Sequence, residues 1–303
     1  MSTNLEEDED MMMCCASCGN AAVDDIQLKK CDGCKSVRYC SDKCQREHRP
    51  HHKRECKKRA AELRDEILFK QPESSHWGDC PLCFLPLALD PKKSIMMACC
   101  SKMICGGCIY ANYIREMEQK IEHKCPFCRH PEPKSQEESD RNRMKRVEAN
   151  DPVALREVGI RRGREGDYKS AFEYLSKAAK LGDIEAHNDL STLYHEGEGV
   201  EKDEKKKMYH LEEAAIGGHP NARHNLGYLE ETNGRLERAV KHWIIAAKLG
   251  YDNSLNALKS CYKDGLISKE DFAAALRGHQ AAVDATKSPQ REAAEAALVV
   301  QKQ

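Results

Sequence analysis

Apolar residues follow two regimes along the chain. From residue 151 onward they recur at helical spacing around small residues, as in "DYKSAFEYLSKAAKLG" (167–182) and "RLERAVKHWIIAAKLG" (235–250). Three phrases repeat: "KAAKLGDIEA" ends at Ala186, "EEAAIGGHPNA" at Ala222 and "IAAKLGYDNS" at Ser254, with a partial copy, "DPVA", ending at Ala154. The intervals are 32, 36 and 32 residues. Each unit reads as two helices, the first beginning near the small residue and the second closed by "AA-x-x-G". The extra length of the middle unit sits in the loop "EGEGVEKD". Residues 151–267 therefore predict stacked helix pairs, and 268–287, opened by Ser268, a capping helix. Residues 288–303 read as a tail that either continues as helix or frays, and 132–150 as a charged linker, helical toward its end, set off by Pro131 and Pro133. In the first 131 residues apolar positions are sparse, and only Ile114, Met117 and Ile121 mark a helix, over 110–124.

Cysteine explains that sparse half. Of 17 cysteines, eight lie between 14 and 56, eight between 80 and 128, and Cys261 stands alone in a helical pattern, read as a small buried hydrophobe. The N-terminus "MSTNLEEDED" is acidic, so 1–13 reads as a disordered tail and not as a secretory or transit leader. No run approaches the length of a membrane span. A cytoplasmic or nuclear location follows as the expectation. Thiols stay reduced there, and clustered cysteines are metal ligands more often than disulfides. The net charge is -1.

Residues 14–59 run Cys15-x-x-Cys18, Cys31-x-x-Cys34, Cys40-x-x-x-Cys44 and His52-x-x-x-Cys56. Seven thiols and one imidazole make two tetrahedral sets of the kind zinc prefers. Spacing i, i+4 puts Cys40/Cys44 and His52/Cys56 each on one helix face. With Tyr39 before Cys40, the pattern closely resembles the MYND zinc finger. That resemblance implies Cys15, Cys18, Cys40 and Cys44 on one ion, and Cys31, Cys34, His52 and Cys56 on the other. It leaves Cys14 over and selects His52 above its rivals His48 and His51. It also implies that the finger binds short, often proline-containing peptides. The module carries 12 Lys/Arg against 6 Asp/Glu. No aromatics interleave with that charge, so it reads as a solvated face and not as a nucleic-acid footprint. Residues 60–75 read as a helical linker.

Residues 76–131 bracket Cys105-x-x-Cys108 between Cys80-x-x-Cys83 and Cys125-x-x-Cys128, in an order that resembles a RING finger. The family's central Cys-x-His is replaced by "CCSK" (99–102). If Cys100 is the third ligand, Lys102 takes the histidine slot and the site is a ligand short. If Cys99 and Cys100 both ligate, the count returns to eight, and ligand counting favours this version. The resemblance then implies Cys80, Cys83, Cys105 and Cys108 on one ion and Cys99, Cys100, Cys125 and Cys128 on the other. Lys102, Lys124 and Arg129 lie near enough in sequence to offset the thiolate charge. In such fingers a ubiquitin-conjugating enzyme is recruited by surface residues. The matching positions here are Leu82, Pro126 and Arg129, whereas the apolar helix position of the family falls on Asn112, beside Tyr113.

The repeat region closely resembles Sel-one-like repeats, relatives of the tetratricopeptide repeat, through Leu-x-x-Leu-Tyr (190–194) and Gly-x-Gly-Val (197–200). The expected fold is mainly α: two small cross-braced zinc fingers followed by an α-solenoid. Four Zn2+ ions, two per finger, are the expected cofactors. Closed four-ligand sites leave no position for a reactive water. No Ser/His/Asp set or phosphate loop supports another chemistry. The chain therefore reads as a zinc-binding, multi-domain protein-interaction adaptor. Its expected partners are peptide ligands of the first finger, a protein on the concave face of the repeats and, if it is a ubiquitin ligase, a conjugating enzyme. The alternative is a non-catalytic scaffold or a transcription- or chromatin-associated regulator. The histidines at 187, 195, 210, 219, 224 and 242 read as surface or packing residues.

Overall fold

The computed structural model describes residues 14–21 and 27–300, so the acidic segment 1–13 lies outside the described residues. The chain divides into two compact units, residues 1–70 and 71–303.

In the first unit a two-stranded antiparallel sheet, β1 (Lys29–Lys30) and β2 (Arg38–Tyr39), precedes the helix α1 (Asp42–Leu68). Ser41 caps α1 by accepting the Cys44 amide at 3.3 Å. The helix does not stop at the last cysteine. It continues through the segment read as a linker and ends before Gln71-Pro72, where the residue ahead of proline is steered out of helical geometry. The unit's core is made of metal-ligand candidates: Cys15, Cys31, Cys34 and Cys44 are buried around Tyr39. Leu28 and Val37 pack partly buried against them, and so small a segment has little other apolar mass there to bury.

The second unit begins with a finger built on the hairpin β3 (Ser94–Met97) and β4 (Lys102–Cys105), followed by α2 (Gly106–Glu118). Its core packs Leu87 and Ile104 among Cys80, Cys105, Cys108 and Cys125. Then come α3 (Gln136–Glu148), the pairs α4/α5 (Pro152–Arg164, Tyr168–Lys180), α6/α7 (Ile184–Glu196, Glu204–Ile216), α8/α9 (Pro220–Thr232, Leu236–Lys248) and α10/α11 (Asp252–Lys263, Lys269–Ala285), and finally α12 (Pro289–Val300). The alanine pairs 178/179, 214/215 and 246/247 are buried, as are Ala154, Ala186, Ala222 and Ser254, where side chains of minimal size let neighbouring helices approach.

The segments read as linker and tail are both helical over most of their length. Within 132–150, α3 is capped by Ser135 and packs on α4 through Met144 and Val147, only two apolar residues in a charged run. Within 288–303, α12 packs against α2 of the finger. The partner it covers lies far back in the chain, so no local period betrays it.

Candidate metal centres

Four sets of side chains converge, and in each set the ligand atoms all lie within 4.8 Å of one another. They are Cys15/Cys18/Cys40/Cys44, Cys31/Cys34/His52/Cys56, Cys80/Cys83/Cys105/Cys108 and Cys99/Cys100/Cys125/Cys128. A tetrahedron with Zn–S near 2.3 Å has S···S edges of about 3.8 Å. The observed separations fall close to that: 3.6 Å for Cys18–Cys40, 3.7 Å for Cys31–Cys56, 3.8 Å for Cys83–Cys105 and 3.9 Å for Cys100–Cys125. They are far from the roughly 2.05 Å of a disulfide. His52 Nε2 lies 3.2 Å from Cys34 Sγ, whereas His48 Nδ1 is engaged by the Tyr39 hydroxyl at 3.0 Å and His51 is exposed. Cys14 belongs to none of the sets.

One turn builds four of the ligand pairs. In four of the five Cys-x-x-Cys pairs, all but Cys105/Cys108 at the start of α2, the amide four residues after the first cysteine donates to that cysteine's carbonyl at 2.9 Å, from Gly19, Lys35, Phe84 and Arg129. All four donors have left-handed backbone, φ between 56° and 76°. Only the first is glycine; the others accept the strain that αL imposes on a side-chain-bearing residue. The adjacent cysteines use the same device. Ser101, with φ of 55°, donates to Met97 O at 2.8 Å and closes the β3–β4 loop. That sharp turn aims Cys99 and Cys100 at one point, with Cys99 Sγ 3.4 Å from Cys128 Sγ. Lys102 follows on β4, its ammonium 6.0 Å from the centre of the Phe127 ring.

Charge shows why these sets suit a divalent cation. Burial opposes ionisation of Cys15, yet the amides of Cys18, Cys40 and Ser17 draw its thiol down to about 6. In the same set hydrogen-bonded Cys44 and Cys18 push Cys40 up to about 12. Burial pushes Cys100 up to about 11. Four thiolates crowd one another unless a cation sits among them, and zinc supplies that charge.

The comparisons agree with the geometry. A model of the MYND finger matches residues 15–56, and a model of the Sel1 repeat matches 152–183, 184–219 and 220–251. Residues 15–56 are a MYND finger, and residues 152–251 are three Sel1 repeats. The chain is 36% identical over 86 residues to chitin synthase regulatory factor 4 of Schizosaccharomyces pombe, a match covering 28% of this chain and 14% of that protein's length. Among solved structures, a Sel1 repeat protein from Oxalobacter formigenes is 26% identical with a TM-score of 0.43, covering 59% of this chain and 72% of that one. The protective antigen c5321 of uropathogenic Escherichia coli, which displays an SLR fold, is 21% identical with a TM-score of 0.38, covering 61% and 39%. The chain thus joins a MYND finger to three Sel1 repeats, and it spans about one seventh of the length of the curated relative it matches.

In the finger between them, Leu82 is half-buried against the cysteine core and Phe84 is 77% exposed beside it. Arg129 is tied inward: its guanidinium donates to Asn112 Oδ1 at 3.3 Å and lies 3.5 Å from Glu116 Oε1. Glu116 is buried, which opposes its charge, yet His123, Asn112 and the Lys124 amide hold it below the usual carboxylate range. Asn112 also donates to Lys124 O at 3.3 Å, so the polar residue at the family's apolar helix position links α2 to the last cysteine turn.

The cation that touches the sulfurs is one the spacing does not reveal. Arg291 of α12, buried, donates to Cys83 Sγ at 3.3 Å, Leu85 O at 3.1 Å and Pro86 O at 2.6 Å. Burial opposes its charge, but the Cys83 and Cys105 thiols hold its pKa above the usual guanidinium value. Burial would raise Cys83, but the Leu85 amide and Arg291 draw it to about 7. Gln290 donates to Gly107 O at 3.0 Å and Lys93 pairs with Glu295 at 2.9 Å. Gly107 permits this approach, since a Cβ there would stand 2.8 Å from Arg291 Cγ and 2.9 Å from its Cα.

A fifth cluster, His76, Glu185 and His219, joins the entry of this finger to the Sel1 solenoid. Glu185 accepts from His76 Nε2 at 2.5 Å and from Trp77 Nε1 at 3.0 Å, and His219 Nε2 lies 3.6 Å away. The Ala222 amide donates to His219 Nδ1 at 3.1 Å, capping α8. A neutral ring that accepts at Nδ1 carries its proton on Nε2, and a protonated nitrogen does not coordinate a metal. The trio is therefore a clasp in which Glu185 accepts from His76 and Trp77 while the His219 ring stacks on His76 at 4.3 Å. Gly218 completes it: its carbonyl accepts the His76 amide at 3.1 Å, and a Cβ on its left-handed backbone would stand 2.7 Å from Ser74 O.

Beside the clasp, Asp189 Oδ2 is buried without a hydrogen-bond partner. Burial, then Glu185, pushes its carboxyl up to about 7. Unfolded, the same carboxyl ionises near 3.9. The folded state thus holds the extra proton between those values, and stability declines as pH rises through that window. Asp189→Asn removes the decline. Between pH 5 and pH 8 the variant is expected to gain about 2–3 kcal/mol on the parent protein, measured by denaturation at both values. Parallel pH dependence in the two proteins would mean that Asp189 is ionised throughout.

Proposed function

We propose that the chain is a four-zinc adaptor whose middle finger is RING-like and docks a ubiquitin-conjugating enzyme, while the MYND finger and the Sel1 solenoid choose what is brought to it. The observation that carries this reading is the Cys99–Cys100 turn. It supplies two ligands where the sequence lacks a histidine, so the finger keeps two interleaved four-ligand sets. A finger braced in this way presents Leu82, Phe84, Pro126 and Phe127 on a rigid frame, with Phe84 and Phe127 exposed as apolar docking groups. Each set is closed by four protein ligands, so zinc supplies shape and no reactive water. Ubiquitin would pass from the bound enzyme to a substrate lysine, with no nucleophile from this chain. A reduced compartment, cytoplasm or nucleus, suits four thiolate-rich sites.

A second reading, a non-catalytic scaffold, has one observation in its favour: Arg129 and Asn112 are already engaged with Glu116 and Lys124. Autoubiquitination by the full chain with a panel of conjugating enzymes decides between them. The ligase reading expects chain formation with at least one enzyme, reduced about tenfold or more by Leu82→Ala and by Arg129→Ala. Absence of product with every enzyme leaves the scaffold. Product indifferent to both substitutions removes the docking surface named here.

A further inference from the structure

The MYND finger carries a basic surface over one of its ligand sets. A groove of about 540 Å³ opens at the Cys31/Cys34/His52/Cys56 set, lined by Cys31, His52 and Cys56 of that set and by Arg46, Arg49, Lys53 and Lys57. These four follow one another at i, i+3, i+7 and i+11 on α1, which places them within an arc of roughly 80° on a helix of 3.6 residues per turn. The acidic residues Glu55, Glu62 and Glu66 fall on the other side of α1. The ion pairs along α1 also avoid the stripe: Lys43 with Glu47, and Arg59 with Glu62 and Glu66. Among the described residues none of the four cations has an ion-pair partner, and Asp42 is the one carboxylate among the groove's lining residues.

We infer that this groove is the docking site for an acidic peptide segment of a partner protein, an inference that rests on reading the MYND finger as a partner-binding module. Neutralising the metal site does not account for the stripe. Three thiolates, one imidazole and Zn2+ carry a formal charge of about -1, against four cations. The length fits a peptide. Arg46 to Lys57 spans about 16 Å of helix at 1.5 Å per residue, which an extended segment of roughly five residues covers. A single-stranded nucleic acid fits less well, because such strands bind by stacking bases on exposed aromatic rings as well as by charge. Here Tyr39 is buried with its hydroxyl on His48, and no exposed large hydrophobic side chain among the finger's described residues precedes Ile67.

The test is fluorescence anisotropy of a labelled Glu/Asp-rich dodecapeptide against the full chain at physiological salt. Binding is expected, and Arg49→Glu with Lys53→Glu should weaken it at least tenfold while zinc content and melting temperature stay unchanged. The same peptide with Gln/Asn in place of Glu/Asp should not bind. No binding, or binding indifferent to the double charge reversal, overturns the proposal. So does tighter binding of a 12-nucleotide single strand. If the peptide binds only after residues 1–12 are removed, the chain's own acidic segment is the occupant and the partner assignment falls. A protein partner that the double variant still binds through the MYND finger would leave the adaptor reading standing while removing this groove.

Discussion

On the four-zinc reading proposed above, Cys100→Ala is expected to lower bound zinc by one ion per chain, as read by elemental analysis of the purified protein. Cys99→Ala should do the same. Both thiols belong to the set with Cys125 and Cys128, Cys14 and Cys261 lie in no set, and Lys102 cannot coordinate. Structural zinc sites in finger peptides contribute about 10–16 kcal/mol near neutral pH, so the loss should not stay local to one bond. Residues 94–131 are expected to become protease-sensitive, because the β3–β4 loop and the last cysteine turn are tied together only through this set and its neighbours. The MYND finger, in a separate compact unit, should keep both of its ions. Cys14→Ala is the control and should leave zinc content unchanged. A count that stays the same in Cys99→Ala would show that one cysteine of the pair is dispensable and that the finger holds its metal some other way.

Arg291→Ala should have the next largest effect. It removes a buried guanidinium that bridges a ligand sulfur and two carbonyls of the finger, and it leaves Leu85 O and Pro86 O without that donor. Breaking a buried charged network of this kind costs on the order of 3–5 kcal/mol. Zinc release from the Cys80/Cys83/Cys105/Cys108 set to a chelator is expected to quicken tenfold or more. The cobalt-substituted protein should report the change in the thiolate charge-transfer bands of that set. Arg291→Lys should restore only part, since one ammonium cannot span three acceptors as a planar fork does. Gly107→Ala attacks the same contact from the opposite side, because its new Cβ meets Arg291 backbone as well as side chain. Zinc release unchanged in both Arg291→Ala and Gly107→Ala would separate α12 from the metal site.

The two halves of the molecule were legible to different degrees. In the MYND finger the i, i+3 and i, i+4 spacings name the ligands because turns and one helix bring each pair together locally. The MYND resemblance selects His52 over His48 and His51, and the tertiary contacts give the physical reason: Tyr39 engages His48, while His52 places its Nε2 beside Cys34. In the Sel1 solenoid the alanine pairs and left-handed glycines repeat, so helix pairing is written in the period. The lone histidines carry no such period. His219 proved to be a helix cap and part of a clasp whose other members come from residues 76–77 and 185.

What the sequence determined by itself is therefore what short-range geometry controls: the ligand pairs, the helix ends and the repeat unit. Ligand counting even favoured the paired use of Cys99 and Cys100, since eight thiols are what two tetrahedral sets require. What only the tertiary structure decided are contacts between elements far apart in the chain. The cation expected to offset the thiolates was sought among neighbours in sequence, Lys102, Lys124 and Arg129, yet the one that touches a sulfur is Arg291, and Arg129 turns to Glu116 instead. The terminal segment read as a tail is the helix α12, packed on α2. Both outcomes have the same physical origin: a buried charge is placed by whatever satisfies it in space, and chain separation leaves no periodic signal of where that will be.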